Sequence, residues 1–270
     1  MGYNFLVIGG DKRISLLAKK LKKDGNNVKT YANKVENIEE IESKNELYNN
    51  KYEIIISGIP ISRDNVNVYT PLSDKKITLD EIKEISKNKI LIAGNIGELN
   101  GKDILQDEAL TILNTIPTAE GAIQIAMEET TYTLSNLKVM VLGFGRVGKI
   151  LSNKLKNIGA EVYCVARKES DLAWIQAYGY NPIKLENIKE NMCKMDIVFN
   201  TVPVEILNKN VLILMNTETL IVDLASFPGG VDYNAAKKLG IKAILALGLP
   251  GKVAPDTAAE YIKQYIYNNL

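Results

Sequence analysis

The chain has 270 residues, enough for two ordinary domains, and its 46% hydrophobic and 24% charged content is that of a folded protein able to bury a sizeable core. With 33 basic residues against 32 acidic ones the formal net charge is +1, so no global field recruits nucleic acid or an anionic membrane and any charged ligand has to be caught locally. Histidine is absent, which excludes Ser-His-Asp and Cys-His nucleophilic sites, His-ligated metals and the commonest general acid and base; any proton transfer falls to Lys, Tyr, Asp or Glu.

The N-terminus runs from Met1 and Gly2 straight into the apolar stretch Tyr3-Asn-Phe-Leu-Val-Ile8, without a basic leader and cleavage site. No apolar run approaches the length of a membrane span, so a cytoplasmic location is expected. Phe5 to Gly10 reads as a strand and glycine turn, residues 13 to 23 carry apolar positions at helical spacing, and Val28 to Tyr31 resumes an extended pattern, a βαβ start. The turn is only Gly9-Gly10-Asp11, with no third glycine, and Asp11 would repel a phosphate placed there. We read it as a degenerate flavodoxin-like or Rossmann-like half whose strand ends face a substrate.

Residues 32 to 51 are rich in Asn, Lys and Glu and suggest an exposed helix and loop. Further strands are predicted over Tyr52 to Ser57 and Lys89 to Ala93, with a short amphipathic helix over 79 to 87 between them; the alternation implies a parallel sheet. Ser57, at a strand end, is a substrate candidate, and Arg13 and Arg63, just beyond strand ends, are candidates for anion capture. From Thr118 to Leu134 the pattern predicts one long helix, opened by Pro117 with Thr118 as cap, which joins a first domain of residues 1–117 to a second of residues 118–256.

The second domain opens on Lys138-Val-Met-Val-Leu-Gly143-Phe-Gly145-Arg-Val-Gly148, an apolar strand feeding a G-x-G-x-x-G turn and then a helical pattern. Gly143 allows the tight turn, Gly145 lets the backbone approach a pyrophosphate and Gly148 permits close helix packing; Arg146 and Val147 open the helix whose N-terminus takes the phosphates. The next strand, Glu161-Val-Tyr-Cys-Val-Ala166, ends roughly 20 residues on, where an NAD-specific fold places Asp or Glu on the ribose hydroxyl. Here Arg167, Lys168 and, after Glu169, Ser170 follow instead: two cations and a hydroxyl suit a ribose 2′-phosphate and favour NADP over NAD. The alternative is that the cations only solvate a strand end. Cys164 lies inside this strand and Cys193 in a polar stretch, with no C-x-x-C pair, which suggests two reduced packing residues.

Later strands are predicted near 195–200, 219–224 and 242–246, ending in Asn200-Thr-Val-Pro203, Asp223-Leu-Ala-Ser226-Phe-Pro-Gly-Gly230 and Leu247-Gly-Leu-Pro-Gly251-Lys252. Ligands of open α/β sheets bind beyond the carboxyl ends of the strands. Thr201, Val202 and Pro203 would then follow the adenosine and ribose, and Ala225, Ser226, Leu247 and Gly248 the nicotinamide; the alternative is that Pro and Gly merely shape tight loops. Thr118, Glu120 and Lys252 are the candidates to meet a substrate between the domains. Lys252 would pair with a carboxylate, and Glu120 and Lys252 are the candidate catalytic groups. A last helix from about 257 to 269 is expected to pack back on the first domain, by analogy with two-domain dehydrogenases. The expected fold class is α/β: two Rossmann-like, doubly wound parallel-sheet domains joined by a long helix.

At Val7-Ile-Gly-Gly-Asp11, Ile116-Pro-Thr-Ala-Glu-Gly121, the Gly143 to Gly148 turn, Asn200 to Pro203, Asp223 to Asp232 and Ala246 to Pro255, the chain resembles the A subunits of dipicolinate synthase over nearly its full length. The glycine turn is generic, whereas the stretches 223–232 and 246–255 are specific to the family. The resemblance implies NADP as cofactor, oxidation of a cyclic dihydrodipicolinate, derived from 4-hydroxy-tetrahydrodipicolinate, to dipicolinate, a partner in the flavoprotein-like B subunit, and the mother-cell cytoplasm of a spore former as location. A homodimer is the default expectation for such folds. Two other functions stay open: an NADP-dependent 2-hydroxy acid or shikimate-type dehydrogenase, whose Lys-Asp pair or His is not evident, and a non-catalytic NADP-sensing subunit.

Overall fold

The computed structural model describes residues 2–49, 51–226 and 228–270. The first apolar run becomes β1 (Asn4–Ile8), and Asp11 opens α1 (Lys12–Lys23) by accepting a hydrogen bond from the Arg13 N–H, as a short acidic side chain does at an N-cap. Helix α1 buries Ile14, Leu17, Ala18 and Leu21, spaced i, i+3, i+4 and i+7 on one face. The chain continues through β2 (Asn27–Tyr31), β3 (Glu39–Glu40), β4 (Ile54–Ser57), α2 (Leu79–Ile85), β5 (Ile90–Ala93) and β6 (Lys102–Asp103). All six strands run parallel in the order β3-β2-β1-β4-β5-β6. That is the Rossmann order 3-2-1-4-5-6, and it removes the flavodoxin alternative, whose order is 2-1-3-4-5.

Two sequence expectations are corrected in this half. Residues 32 to 51 are not an exposed helix: Val35, Ile38, Ile41 and Leu47 are buried, the segment lends β3 to the sheet edge, and its helical content among the described residues is one 3-10 turn, Lys44–Tyr48. Its polar composition hid four apolar anchors. The connector α3 (Glu108–Glu129) begins at Glu108 and not at Thr118. Asp107 caps it, its carboxylate accepting from the Leu110 N–H at 2.7 Å and its carbonyl from the Thr111 N–H at 3.0 Å. Pro117, whose fixed φ and missing N–H imitate a helix start, lies inside the helix, and Thr118 is therefore no cap. The helix stops at Glu129, where Tyr132 N–H turns back to the Thr130 hydroxyl at 2.9 Å.

The second half carries β7 (Lys138–Leu142), α4 (Arg146–Ile158), β8 (Glu161–Ala166), α5 (Glu169–Ala177), β9 (Asn181–Lys184), β10 (Ile197–Asn200), α6 (Lys209–Leu212), β11 (Leu220–Asp223), α7 (Tyr233–Leu239) and β12 (Lys242–Leu245). Its sheet, β12-β11-β10-β7-β8-β9, is again parallel and again of 3-2-1-4-5-6 order. Strands β7 and β10 sit at its centre and are apolar almost throughout, as burial on both faces requires. Short α8 (Leu249–Val253) precedes α9 (Pro255–Asn268), which has Pro255 at its start and packs on α1, adding Ala259, Ile262, Tyr265 and Ile266 to the core around Phe5, Val7 and Leu17.

The chain thus forms two compact units, Met1–Asn114 with Pro250–Leu270, and Thr115–Leu249. The return to the first unit falls at 249/250, earlier than 256, because Gly251 lies against the Asp11–Arg13 pair of that unit, where a Cβ would come within 2.9 Å of both side chains. Among the described residues no helix is long and apolar enough to cross a membrane.

Candidate dinucleotide site

The turn after β7 explains each of its three glycines differently. Gly143 has φ +93°, a conformation that favours glycine, and a Cβ there would lie 2.6 Å from Thr201 Oγ1 and 2.8 Å from Val202 Cγ2. At Gly148 a Cβ would stand 2.1 Å from the Gly143 carbonyl oxygen, so helix and turn can close on each other only over glycine. Gly145 is under no such constraint: φ is −80° and among the described residues a Cβ would meet nothing within 4 Å. It is the N-cap of α4, and among the described residues no side chain caps that end, where the positive pole of the helix dipole favours an anionic ligand. A cradle that a methyl group would fill, beside that helix end, fits a pyrophosphate.

Next to the turn lies a pocket of about 270 Å³. Val165, Leu185, Val202, Val204 and Ile206 give it apolar walls, Phe144 and Gly145 its phosphate end, and Arg167, Lys168 and Asp171 its charged rim. Arg167 and Lys168 are exposed, and among the described residues neither forms an ion pair, whereas neighbouring Glu169 is held by Lys184 at 3.1 Å. Ser170 is exposed on α5 but is not part of the lining, and neither are Thr201 and Pro203. Thr201 instead donates its hydroxyl to the Leu142 carbonyl at 2.7 Å and ties β10 to β7. The reading of the sequence missed Asp171, Leu185, Val204 and Ile206. Asp171 lies on α5, Leu185 opens a 3-10 helix and Val204 and Ile206 lie in a loop, all without a motif, where no residue type is required.

The Asp223 to Asp232 stretch is organised by a buried carboxylate. Asp223 accepts from Asn200 Nδ2 at 2.8 Å, Ala225 N–H at 3.1 Å, Gly230 N–H at 3.0 Å and the Tyr233 hydroxyl at 2.9 Å. Asn200 also donates to the Val202 carbonyl, so one network fixes the loops beyond β10 and β11 together. A Cβ on Gly230 would sit 2.1 Å from Asn200 Nδ2, which accounts for the glycine. Burial, with the bond to Asp223, pushes the Tyr233 hydroxyl above the ordinary tyrosine range. Ala225 is buried within this frame while Ser226, Leu247 and Gly248 are exposed at strand ends; Phe227 lies outside the described residues.

The first unit is built to exclude a nucleotide from its own glycine turn. The Gly10 N–H donates to the Tyr69 carbonyl at 2.8 Å, and a Cβ on Gly9 would strike that same carbonyl at 2.9 Å, so the 68–70 loop occupies the place of a phosphate. Arg13 is not available for anion capture: it is buried, paired with Asp11 at 2.7 Å and bonded to the Ile59 carbonyl at 2.7 Å. Ser57 leaves the substrate set for the same reason, being buried with its hydroxyl donated to the Ile8 carbonyl at 2.8 Å. Arg63 stays exposed, its guanidinium 3.9 Å from the centroid of the Tyr69 ring. Thr118 lies within α3; Glu120 is exposed on the same helix and paired with Lys154 of α4 at 2.8 Å. Lys252 is exposed on α8 and forms no ion pair among the described residues. Cys164 is buried 3.1 Å from Ser152 Oγ, and burial pushes its thiol up to about 12; Cys193 is exposed. Among the described residues no cluster of His, Cys, Asp and Glu could hold a metal ion.

A parallel sheet of this order with a glycine turn and an open pocket at its carboxyl ends defines a dehydrogenase-type dinucleotide-binding protein. Residues 117–226 match the NAD binding domain of D-isomer specific 2-hydroxyacid dehydrogenases, and residues 4–115 the N-terminal domain of the dipicolinate synthase A subunit. The crystal structure of the dipicolinate synthase A chain from Bacillus subtilis is 31% identical and superposes over 100% of this chain and 96% of that one with a TM-score of 0.87. The corresponding protein from Bacillus halodurans, likewise the A component of dipicolinate synthase, gives 29% identity, coverage of 100% and 98%, and a TM-score of 0.89. A curated relative, the dipicolinate synthase A subunit of Bacillus subtilis (strain 168), is 44% identical over 159 residues, 59% of this chain and 54% of that one, so the alignment spans about half of the relative's length. The chain belongs to the family of dipicolinate synthase A subunits.

Proposed function

We propose that the chain is the NADP-dependent A subunit of a dipicolinate synthase, oxidising dihydrodipicolinate to dipicolinate. The observation that carries this reading is the pair Arg167 and Lys168, free of ion-pair partners among the described residues on the rim of the pocket beside Gly145. In the proposed complex the N–H groups of the first turn of α4 hold the pyrophosphate, Val165, Leu185, Val204 and Ile206 enclose the adenine, and Arg167 and Lys168 take the 2′-phosphate. A bound nicotinamide supplies a two-electron acceptor. Loss of a hydride and a proton from the dihydropyridine ring yields an aromatic product, which lowers the demand for a strong base in a chain without histidine. Catalysis then rests largely on positioning, which can contribute several kcal/mol. The missing histidine also separates this chain from alcohol-oxidising 2-hydroxy acid dehydrogenases despite the match of its second unit.

Lys252, exposed and unpaired among the described residues, is the proposed contact for a substrate carboxylate. Glu120, neutralised by Lys154, is the weaker candidate for chemistry. That the relatives are components of a multi-subunit synthase supports a partner, for which we propose a flavoprotein-like B subunit, together with a role in making dipicolinate in the mother cell of a spore former. The test is reduction of NADP with freshly generated cyclic precursor, by the chain alone and with that partner. Dipicolinate formed in step with NADPH supports the proposal; NADP binding without turnover under both conditions overturns it in favour of a sensing subunit.

A further inference from the structure

The corner between β8 and α5 carries a third charge that the phosphate contacts leave unused. Asp171, in the first turn of α5, lines the same pocket of about 270 Å³ as Arg167 and Lys168. It is half-buried, and among the described residues its carboxylate makes no hydrogen bond and no ion pair, with either cation or any other group. Its neighbour Glu169 behaves differently, being drawn away by Lys184 at 3.1 Å. Three charges thus share one rim without neutralising one another.

A half-buried carboxylate without a hydrogen-bond partner has given up part of its hydration, which the dipole of α5 offsets only in part, and is open to donors that a ligand brings. An adenosine ribose brings hydroxyls. A 2′-phosphate brings negative charge instead, and a pocket of this size keeps such a phosphate within about a Debye length, ~8 Å at physiological salt, of the Asp171 carboxylate. We propose that Asp171 sets the cofactor preference of this pocket by accepting a hydrogen bond from the unphosphorylated ribose and opposing the 2′-phosphate held by Arg167 and Lys168. The margin between NADP and NAD is then narrower than the two cations alone would give. This inference rests on the NADP reading above.

The test titrates the intact chain calorimetrically with adenosine 2′,5′-bisphosphate and with 5′-AMP, probes that differ only in the 2′-phosphate. In Asp171→Asn the ratio of the two affinities rises by about tenfold, through tighter bisphosphate and weaker 5′-AMP binding, one pKa-unit equivalent of charge interaction. Asp171→Ala, the residue of highest helix propensity, moves it in the same direction should the amide disturb α5. Arg167→Ala lowers the same ratio. A ratio unchanged in both Asp171 variants while Arg167→Ala lowers it overturns the role of Asp171 and leaves the NADP reading standing. A ratio unchanged in Arg167→Ala sinks the NADP reading and this inference with it.

Discussion

Gly145 and Gly148 stand three residues apart in one turn and are required for different reasons. Gly148→Ala places a methyl carbon 2.1 Å from the Gly143 carbonyl, so thermal denaturation is expected to show a loss of about 3 kcal/mol or more, with cofactor binding gone. Gly145→Ala meets no atom within 4 Å among the described residues and has an ordinary φ, so its melting temperature should match or slightly exceed wild type while NADP affinity collapses. Asp223 tests the loop frame: Asp223→Ala strips a partner from Asn200, Tyr233 and two backbone N–H groups, and denaturant unfolding should show a loss of about 3–5 kcal/mol.

Cys164 tests the core behind the glycine turn. Its thiol is raised from 9.0 to about 12, so the folded state holds a proton that the unfolded chain releases; its stabilising effect is complete below pH 9 and is lost as pH rises toward 12. Cys164→Ala should flatten the alkaline decline in unfolding free energy by up to about 1.4 kcal/mol per pH unit in that window. Tyr163, raised to about 12 by its bond to Glu161, keeps part of the slope in the variant.

At the scale of elements, α5 links the pocket to an optical reporter. Trp174, the single tryptophan of the chain, stacks on Tyr178 with ring centroids 5.4 Å apart, and Tyr178 lies 6.3 Å from Phe144 in the glycine turn. NADPH binding should quench Trp174 emission and transfer energy to the reduced nicotinamide; unchanged emission at saturation would place the nucleotide elsewhere. Helix α3 shows where local sequence misleads. Pro117 and Thr118 imitate a start, and the actual cap, Asp107, is one acid among many until its bond to Leu110 is seen. Asp107→Ala should lower stability by about 1 kcal/mol. Strands β3, β6 and β9 went unread for a related reason: β3 and β6 have two residues each, too few to display a period, and β9 carries a proline that only an edge strand tolerates.

At the scale of the whole molecule, one strand order is used twice with opposite outcomes. In the second unit the glycine turn is open; in the first, Tyr69 and the Asp11–Arg13 pair fill the equivalent position. The open turn was legible in the sequence because backbone geometry demands glycine at fixed spacing. Ser57 and Arg13 were misread as ligands because a strand-end polar group looks the same whether it awaits a substrate or already serves a buried carbonyl. Asp171 left no trace because a first-turn acid is ordinary in any helix.

The most direct measurement is kcat/KM for NADP and for NAD, with dihydrodipicolinate as the reductant, in wild type and in Arg167→Ala. The account predicts that wild type prefers NADP and that the variant loses about 10- to 100-fold with NADP while keeping its activity with NAD, as removal of one charge-assisted phosphate contact requires. Equal losses with both cofactors, or a wild type that prefers NAD, would contradict it.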